Sequence, residues 1–289
     1  VLGLVLLTGV GGMTSFGQAA LVGIGAYSTA YLTVTEQLPQ FLMWTGGSPW
    51  AGLILGIILT VVSAFLVGGL TLKLSGHYLP LGTIAWGISL YYFFSTIESL
   101  GGHSGISNIP SISIAGYALD TSNKMFYLIW LILFVAIILT KNLLNSREGR
   151  AIRALKGGQV MAESMGVNTF RSKMVVFIIS SVFASISGWL YAHNQSFINP
   201  TPFGLQMGID YLFMALLGGV GSIWGAIFGA GIFTMMRQWL QDLMPIIFGN
   251  DGQYETIVFG LMIVILMQKA PSGLWPMLVK LIPQRFKAT

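Results

Sequence analysis

Apolar residues along this chain come in long runs separated by short polar or glycine-rich breaks. A membrane-spanning helix needs about 20 largely apolar residues, and runs shortened by glycine still qualify where protein buries them. After a partial segment at Val1–Val10, eight runs meet that description: Thr14–Thr33, Trp50–Leu72, Leu79–Ser99, Met125–Leu144, Phe170–Ala192, Leu205–Leu217, Ser222–Leu243 and Thr256–Gln268. The pattern predicts an all-α fold, a polytopic transmembrane helical bundle of about eight spans plus the partial one, some short or broken by glycine. It is expected to form a single domain over residues 1–289. The chain opens at VLGLVLLTGV, apolar and without Met, so it is expected to lack its natural start, and nothing follows from the absence of a signal sequence.

Composition strengthens this reading. Charged residues are 8% of the chain and hydrophobic ones 54%, with a mean hydropathy of +0.78, whereas soluble domains are roughly a quarter charged. Glycine, at 37 residues, suits helices that must approach backbone to backbone where lipid supplies no hydrophobic drive for association. Cysteine is absent, and His77, His103 and His193 lack metal-ligand spacing, so neither a metal site nor a cofactor is expected.

Charge then orients the chain. Seven of the fourteen Lys and Arg residues lie between Lys141 and Lys173. If the spans alternate, these seven fall on one side with Lys73, Lys269, Lys280, Arg285 and Lys287, while Lys124 lies opposite and Arg237 lies inside a span. Twelve against one marks the richer side as cytoplasmic. The net charge of +5 is thereby accounted for by topology and anionic lipid, without nucleic acid. The other face carries the loop 100–124, with Trp44, Trp50 and Tyr117 as interface anchors. The tail APSGLWPMLVKLIPQRFKAT reads as a short amphipathic helix on the inner surface.

The cytoplasmic loop 145–169 is longer than topology requires. It reads as an amphipathic helix with Arg150 and Arg153 at helical steps, a kink at Gly157 and Gly158, and a second helical turn ending at Gly166. An ordered insertion of about 25 residues predicts a protein partner. Nothing in the sequence suggests covalent chemistry. There is no GxxxxGK[ST] loop, GxSxG or HExxH motif, so the chain is not expected to hydrolyse ATP or to have catalytic residues. Ionisable groups within spans are costly enough to count as candidates for a solute path. Glu98 and Asp242 read as solvated helix ends, and Asp210 lies deeper. Gly11–Ser15 and Gly218–Ser222 share a GGxxS pattern, which reads either as paired breaks of a repeated transporter half or as chance in a glycine-rich chain. Ser15, Asp210 and Ser222 are thus the candidate path residues. Gly221, Gly225 and Gly229 follow GxxxGxxxG spacing and read as a helix-packing face.

Five ordered blocks resemble one family. GGMTSFGQAALVGIGAYSTAYL, LKLSGHYLPLGTIAW, GGHSGISNIP, SREGRAIRALKGGQVMAESMGVNTFRSK and MALLGGVGSIWGAIFGA are similar to the G-x-x-SFG, YFA-x-x-TLA, TGG-x-x-G, GRA-x-RA…MGI-N and LGGLGS-x-WGP blocks of branched-chain amino acid ABC importer permeases. The likeness is to the M-type, LivM-like subunit. It implies a heterodimer with a second related permease, two cytoplasmic ATPase subunits and an extracytoplasmic substrate-binding protein, in a prokaryotic cytoplasmic (inner) membrane. It also implies that Ala162, Glu163, Met165 and Gly166 contact the ATPase, flanked by Arg150 and Arg153. Two departures stand out. Lys156-Gly157-Gly158-Gln159 replaces an acidic stretch, and Ala226 replaces the usual proline. Relatives with these blocks also move urea and short amides. An ion-coupled secondary transporter using Asp210 and a non-transporting membrane scaffold are the rival readings.

Overall fold

The computed structural model describes residues 1–35, 47–73, 78–114, 116–248, 254–270 and 273–281. The expected anchor Trp44 and His77 lie outside these residues. The expected runs all become helices, with ends shifted by a few residues. α1 (Leu2–Leu4) continues into π-helical turns at Val5–Val10. Then come α2 (Gln18–Val34), α3 (Pro49–Thr71), α4 (Tyr78–Thr96), α5 (Ser122–Asn145), α6 (Arg147–Leu155), α7 (Gln159–Ser164), α8 (Thr169–Gln195), α9 (Leu205–Gly218), α10 (Ile223–Phe248), α11 (Tyr254–Lys269) and α12 (Leu274–Leu281). α12 is the helix expected in the tail.

α3, α5 and α8 are each long and apolar enough to cross a bilayer alone. The sixth and seventh expected spans are not two independent straight crossings. α9 and Ile223–Leu243 of α10 form a pair bent by 119° at a short break, the geometry of a broken span or a re-entrant loop. The reason is the Gly218-Gly219 turn: Gly219 adopts φ +105, which reverses the chain before α9 completes a full span.

The core is the triple crossing of α2, α3 and α8. α2 is buried on nearly every side, as a helix that is apolar all round must be. Its neighbours approach closely because the contact positions are small. A Cβ at Gly25 would overlap the Ser185 carbonyl, and one at Gly188 would overlap the Val22 carbonyl. α3 buries Gly52, Gly56, Thr60, Ala64, Val67, Gly68 and Thr71, a stripe of mostly small residues about four apart. It turns Ile54, Ile58, Phe65, Leu66 and Leu70 outward. Exposed apolar side chains on this scale fit lipid rather than water.

At the end of the bundle away from α6 and α7, the loop before α5 is pinned down. β1 (Ile106–Ser107) pairs antiparallel with β4 (Phe197–Ile198), directly after α8, in the register Ile106↔Ile198. β2 (Ser113–Ile114) pairs with β3 (Tyr117–Ala118) as a hairpin. Trp50 Nε1 donates to the Ser113 carbonyl at 2.8 Å, and Trp189 Nε1 donates to the Pro49 carbonyl at 2.8 Å. Trp50, expected as an interface anchor, ties the loop to α3.

Candidate functional site

The loop between α5 and α8 forms an ordered elbow. Ser146 caps α6, its Oγ accepting from the Gly149 amide at 3.2 Å, as N-cap chemistry requires. Gly149 sits so tightly against the Leu143 and Leu144 carbonyls that a Cβ would overlap them. This fixes the angle at which α6 leaves α5. Ile152 and Leu155 point into the protein, leaving Arg147, Arg150, Arg153 and Lys156 exposed. Gly158 turns the chain at φ +119 into α7, and Gly166 ends the elbow at φ +78; these are backbone conformations that favour glycine.

α7 divides the expected coupling residues between two faces. Ala162 is only 1% exposed and packs inward, whereas Val160 at 81%, Met161 at 57% and Met165 at 69% stand out as an apolar tip. Glu163 is held from behind. Thr169 Oγ1 donates to its Oε1 at 2.6 Å, and Gln159 Nε2 donates to the same oxygen at 2.9 Å. These bonds, that from Thr169 first, hold the carboxyl below the usual glutamate range. Lys173 Nζ in turn donates to Gln159 Oε1 at 2.8 Å. The residues of this network, with Leu72, Lys73 and Phe170, line a cavity of about 300 Å³ beside the elbow.

The helical turns leading into the first GGxxS break meet the second break, and the first break itself lies next to the elbow. A Cβ at Gly9 would overlap the Val220 carbonyl, and one at Gly12 would lie 3.8 Å from the Lys156 Cα. Gly12 and Gly219 both have positive φ. Ser15 is buried at the first break. At the second, Ser222 Oγ accepts from the Gly225 amide at 3.3 Å and caps α10, so this candidate path residue has a structural partner. The expected glycine face needs one correction. Gly225 and Gly229 lie in the α9–α10 contact, but Gly221 precedes α10, is exposed, and would have nothing within 4 Å of a Cβ. Gly218 of α9 completes the contact instead, meeting Gly225 and Gly229 backbone to backbone.

Asp210 is buried in α9 and pairs across the hairpin with Arg237 of α10, Nη1 to Oδ2, at 2.6 Å. Gln206 Nε2 lies 3.5 Å from the other carboxylate oxygen. Gly208, two residues before Asp210, lies so close to the Phe16 carbonyl, next to Ser15, that a Cβ would overlap it, whereas Ser222 lies beyond the far end of α9. Sequence reasoning noted each charge but not their pairing. It also missed a buried polar cluster in which His193 lies between Thr29 Oγ1 at 2.9 Å from Nε2 and the Pro110 carbonyl at 2.7 Å from Nδ1. Since the carbonyl can only accept, Nδ1 carries a proton. The sequence signal was limited to a lone histidine at the end of a span.

These features describe a membrane bundle with a broken hairpin, paired glycine breaks and a basic elbow. The family model described as "Branched-chain amino acid transport system / permease component" matches residues 1–267. The chain belongs to this family. The permease is 29% identical to the high-affinity branched-chain amino acid transport system permease protein LivM of Salmonella typhimurium, over 96% of this chain and 67% of that protein. It is 28% identical to LivM of Escherichia coli over the same shares. Its identity to LivH of Escherichia coli is 26%, over 94% of this chain and 89% of the relative. No solved structure gives a significant match to the permease. Its relatives are transport permeases rather than enzymes, and the permease is a multi-pass helical membrane protein.

Proposed function

We propose that the chain is a channel-forming subunit of an ABC importer for branched-chain or related amino acids. It pairs with a second, related permease and takes its energy from two ATPase subunits docked on the elbow. Solute is delivered by a binding protein at the opposite, extracytoplasmic face, and the membrane is the inner membrane of a prokaryotic cell. The observation that carries this reading is the elbow itself. Beyond a capped α6 and a glycine turn, the elbow presents an exposed Val160, Met161 and Met165 tip and exposed Arg147, Arg150, Arg153 and Lys156, side chains that the described residues do not bury.

The residues divide the work. Met161 and Met165 adapt their shape to an apolar cleft, Arg150 and Arg153 steer and flank it, and Glu163, held by Thr169 and Gln159, keeps α7 in register with α8. Ala162 and Gly166 act from behind: the first lets α7 lie close to the bundle, and the second ends it in a backbone state open to glycine. Closure of the ATPase pair pushes on the elbow. Because α6 and α7 pack against α8, and α6 against the turns after α1, the push reaches the paired glycine breaks and the α9–α10 hairpin. The buried Asp210 already has a cation partner, which argues for a path without a free carboxylate for ion coupling.

The reading is tested by reconstitution. In proteoliposomes the chain alone should accumulate no leucine. With its partner permease, the ATPase subunits, the binding protein and ATP, uptake should appear. Accumulation by the chain alone, driven by an ion gradient, would overturn it.

A further inference from the structure

α10 has three faces, where a helix at the edge of a membrane bundle needs two. Gly225, Ala226, Gly229, Phe233 and Leu240 are buried on the side turned toward α9 and its neighbours. Trp224, Met235, Trp239 and Ile246 recur at helical spacing on a second, exposed face, which suits lipid. Thr234, Arg237, Gln238 and Gln241 recur on a third face, and all four are exposed. At 1.5 Å per residue, Arg237 lies about 21 Å along α10 from its first residue, well inside the helix. A guanidinium is costly against hydrocarbon inside a spanning helix, and two glutamines and a threonine share its face.

The arginine is also only partly used. Its side chain is 44% exposed, while that of Asp210 is 6% exposed, so the carboxylate anchors one edge of the guanidinium from within the protein and leaves the rest turned outward. A guanidinium presents five donors in a planar fork that matches a carboxylate. Among the described residues Asp210 is its hydrogen-bond partner, through Nη1. The tether also neutralises the arginine, so an anion is held in place without being trapped, as conduction requires.

We propose that the polar face of α10 lines a water-filled path and that Arg237, tethered by Asp210, binds the carboxylate of the solute that passes. This rests on the transport reading above and deepens it, because it names the part of the solute that the membrane subunit itself recognises.

The chain has no cysteine, so single cysteines can be introduced directly and followed by the mass of this subunit within the assembled importer. Gln238→Cys and Gln241→Cys should react with a charged, membrane-impermeant methanethiosulfonate about tenfold faster than Met235→Cys on the apolar face. Leucine or isovalerate, both carboxylates, should slow the reaction at Gln238→Cys, and isovaleramide should not. Adding Arg237→Gln should weaken that protection about tenfold, the worth of a hydrogen bond to a charged group, and Arg237→Lys should restore part of it. If Arg237→Gln does not assemble, the double change with Asp210→Asn leaves no unpaired charge and serves instead. Equal, slow reaction at Gln238 and Met235 would show the face covered by protein or lipid and would overturn the proposal. Protection by the amide, or protection unchanged by Arg237→Gln, would overturn the role of Arg237. Isovalerate protection in an importer that accumulates no leucine would keep the carboxylate site and sink the branched-chain amino acid reading.

Discussion

At the scale of single residues, small side chains determine how closely the helices approach. Gly188 faces the Val22 carbonyl so directly that any Cβ would overlap it. Gly188→Val should therefore destabilise the α2–α8 contact by about 1–3 kcal/mol or more, seen as a lower unfolding temperature of the purified protein. Gly221→Ala, which meets nothing, should leave it unchanged. Glu163 gives a pH-dependent signature. Its carboxyl is held below the usual range by Thr169 and then Gln159, so the stabilisation is complete above the ordinary glutamate pKa and is lost as pH falls through the lowered folded value. Amide exchange at 159–166 should rise over that acidic window, and Thr169→Val should move the rise to higher pH. If exchange over these residues is pH-independent once the intrinsic rate is removed, Glu163 does not hold the elbow. The sequence made Glu163 and Gly188 visible as residue types. Their partners, Thr169 and the Val22 carbonyl, could not be read, because they follow from how α7 and α2 lie against α8.

At the scale of elements, the two faces of α7 separate fold from function. Ala162 packs inward, so Ala162→Arg should displace the whole elbow and uncouple ATP hydrolysis from uptake while leaving the spans inserted. Met161→Asp and Met165→Asp change only the exposed tip. They should leave amide exchange in the elbow unchanged but weaken co-purification of the ATPase subunits by about tenfold or more, the scale of an anchor residue at an interface. Normal assembly and coupled uptake in these variants would place the docking surface elsewhere. The elbow's existence was legible from its length, its basic steps and the glycines at 157, 158 and 166. The inward position of Ala162 was not, because a six-residue helix with one small residue carries no clear period. α9 and α10 give the same lesson: two apolar runs joined by Gly-Gly read as two crossings, and only the backbone at Gly219, with φ +105, turns them into a hairpin bent by 119°.

At the scale of the whole molecule, the bundle links three zones: a loop clamp at one end of α8, the packed α2–α3–α8 core, and the elbow with both glycine breaks at the other end. This continuity is why a push on α6 and α7 can alter the hairpin that carries Asp210 and Arg237. The sequence by itself determined the helices, their approximate ends, the membrane class and the basic elbow. A long apolar run satisfies its own backbone hydrogen bonds wherever it sits, and so declares itself locally. Only the tertiary structure decided which glycines touch, which side of α7 is free, and that Asp210 meets Arg237 while Gln18 bonds the carbonyl of Ser180, partners 27 and 162 residues apart. Those choices depend on which helices become neighbours and at what angle, and uniformly apolar surfaces leave no record of that in the order of residues.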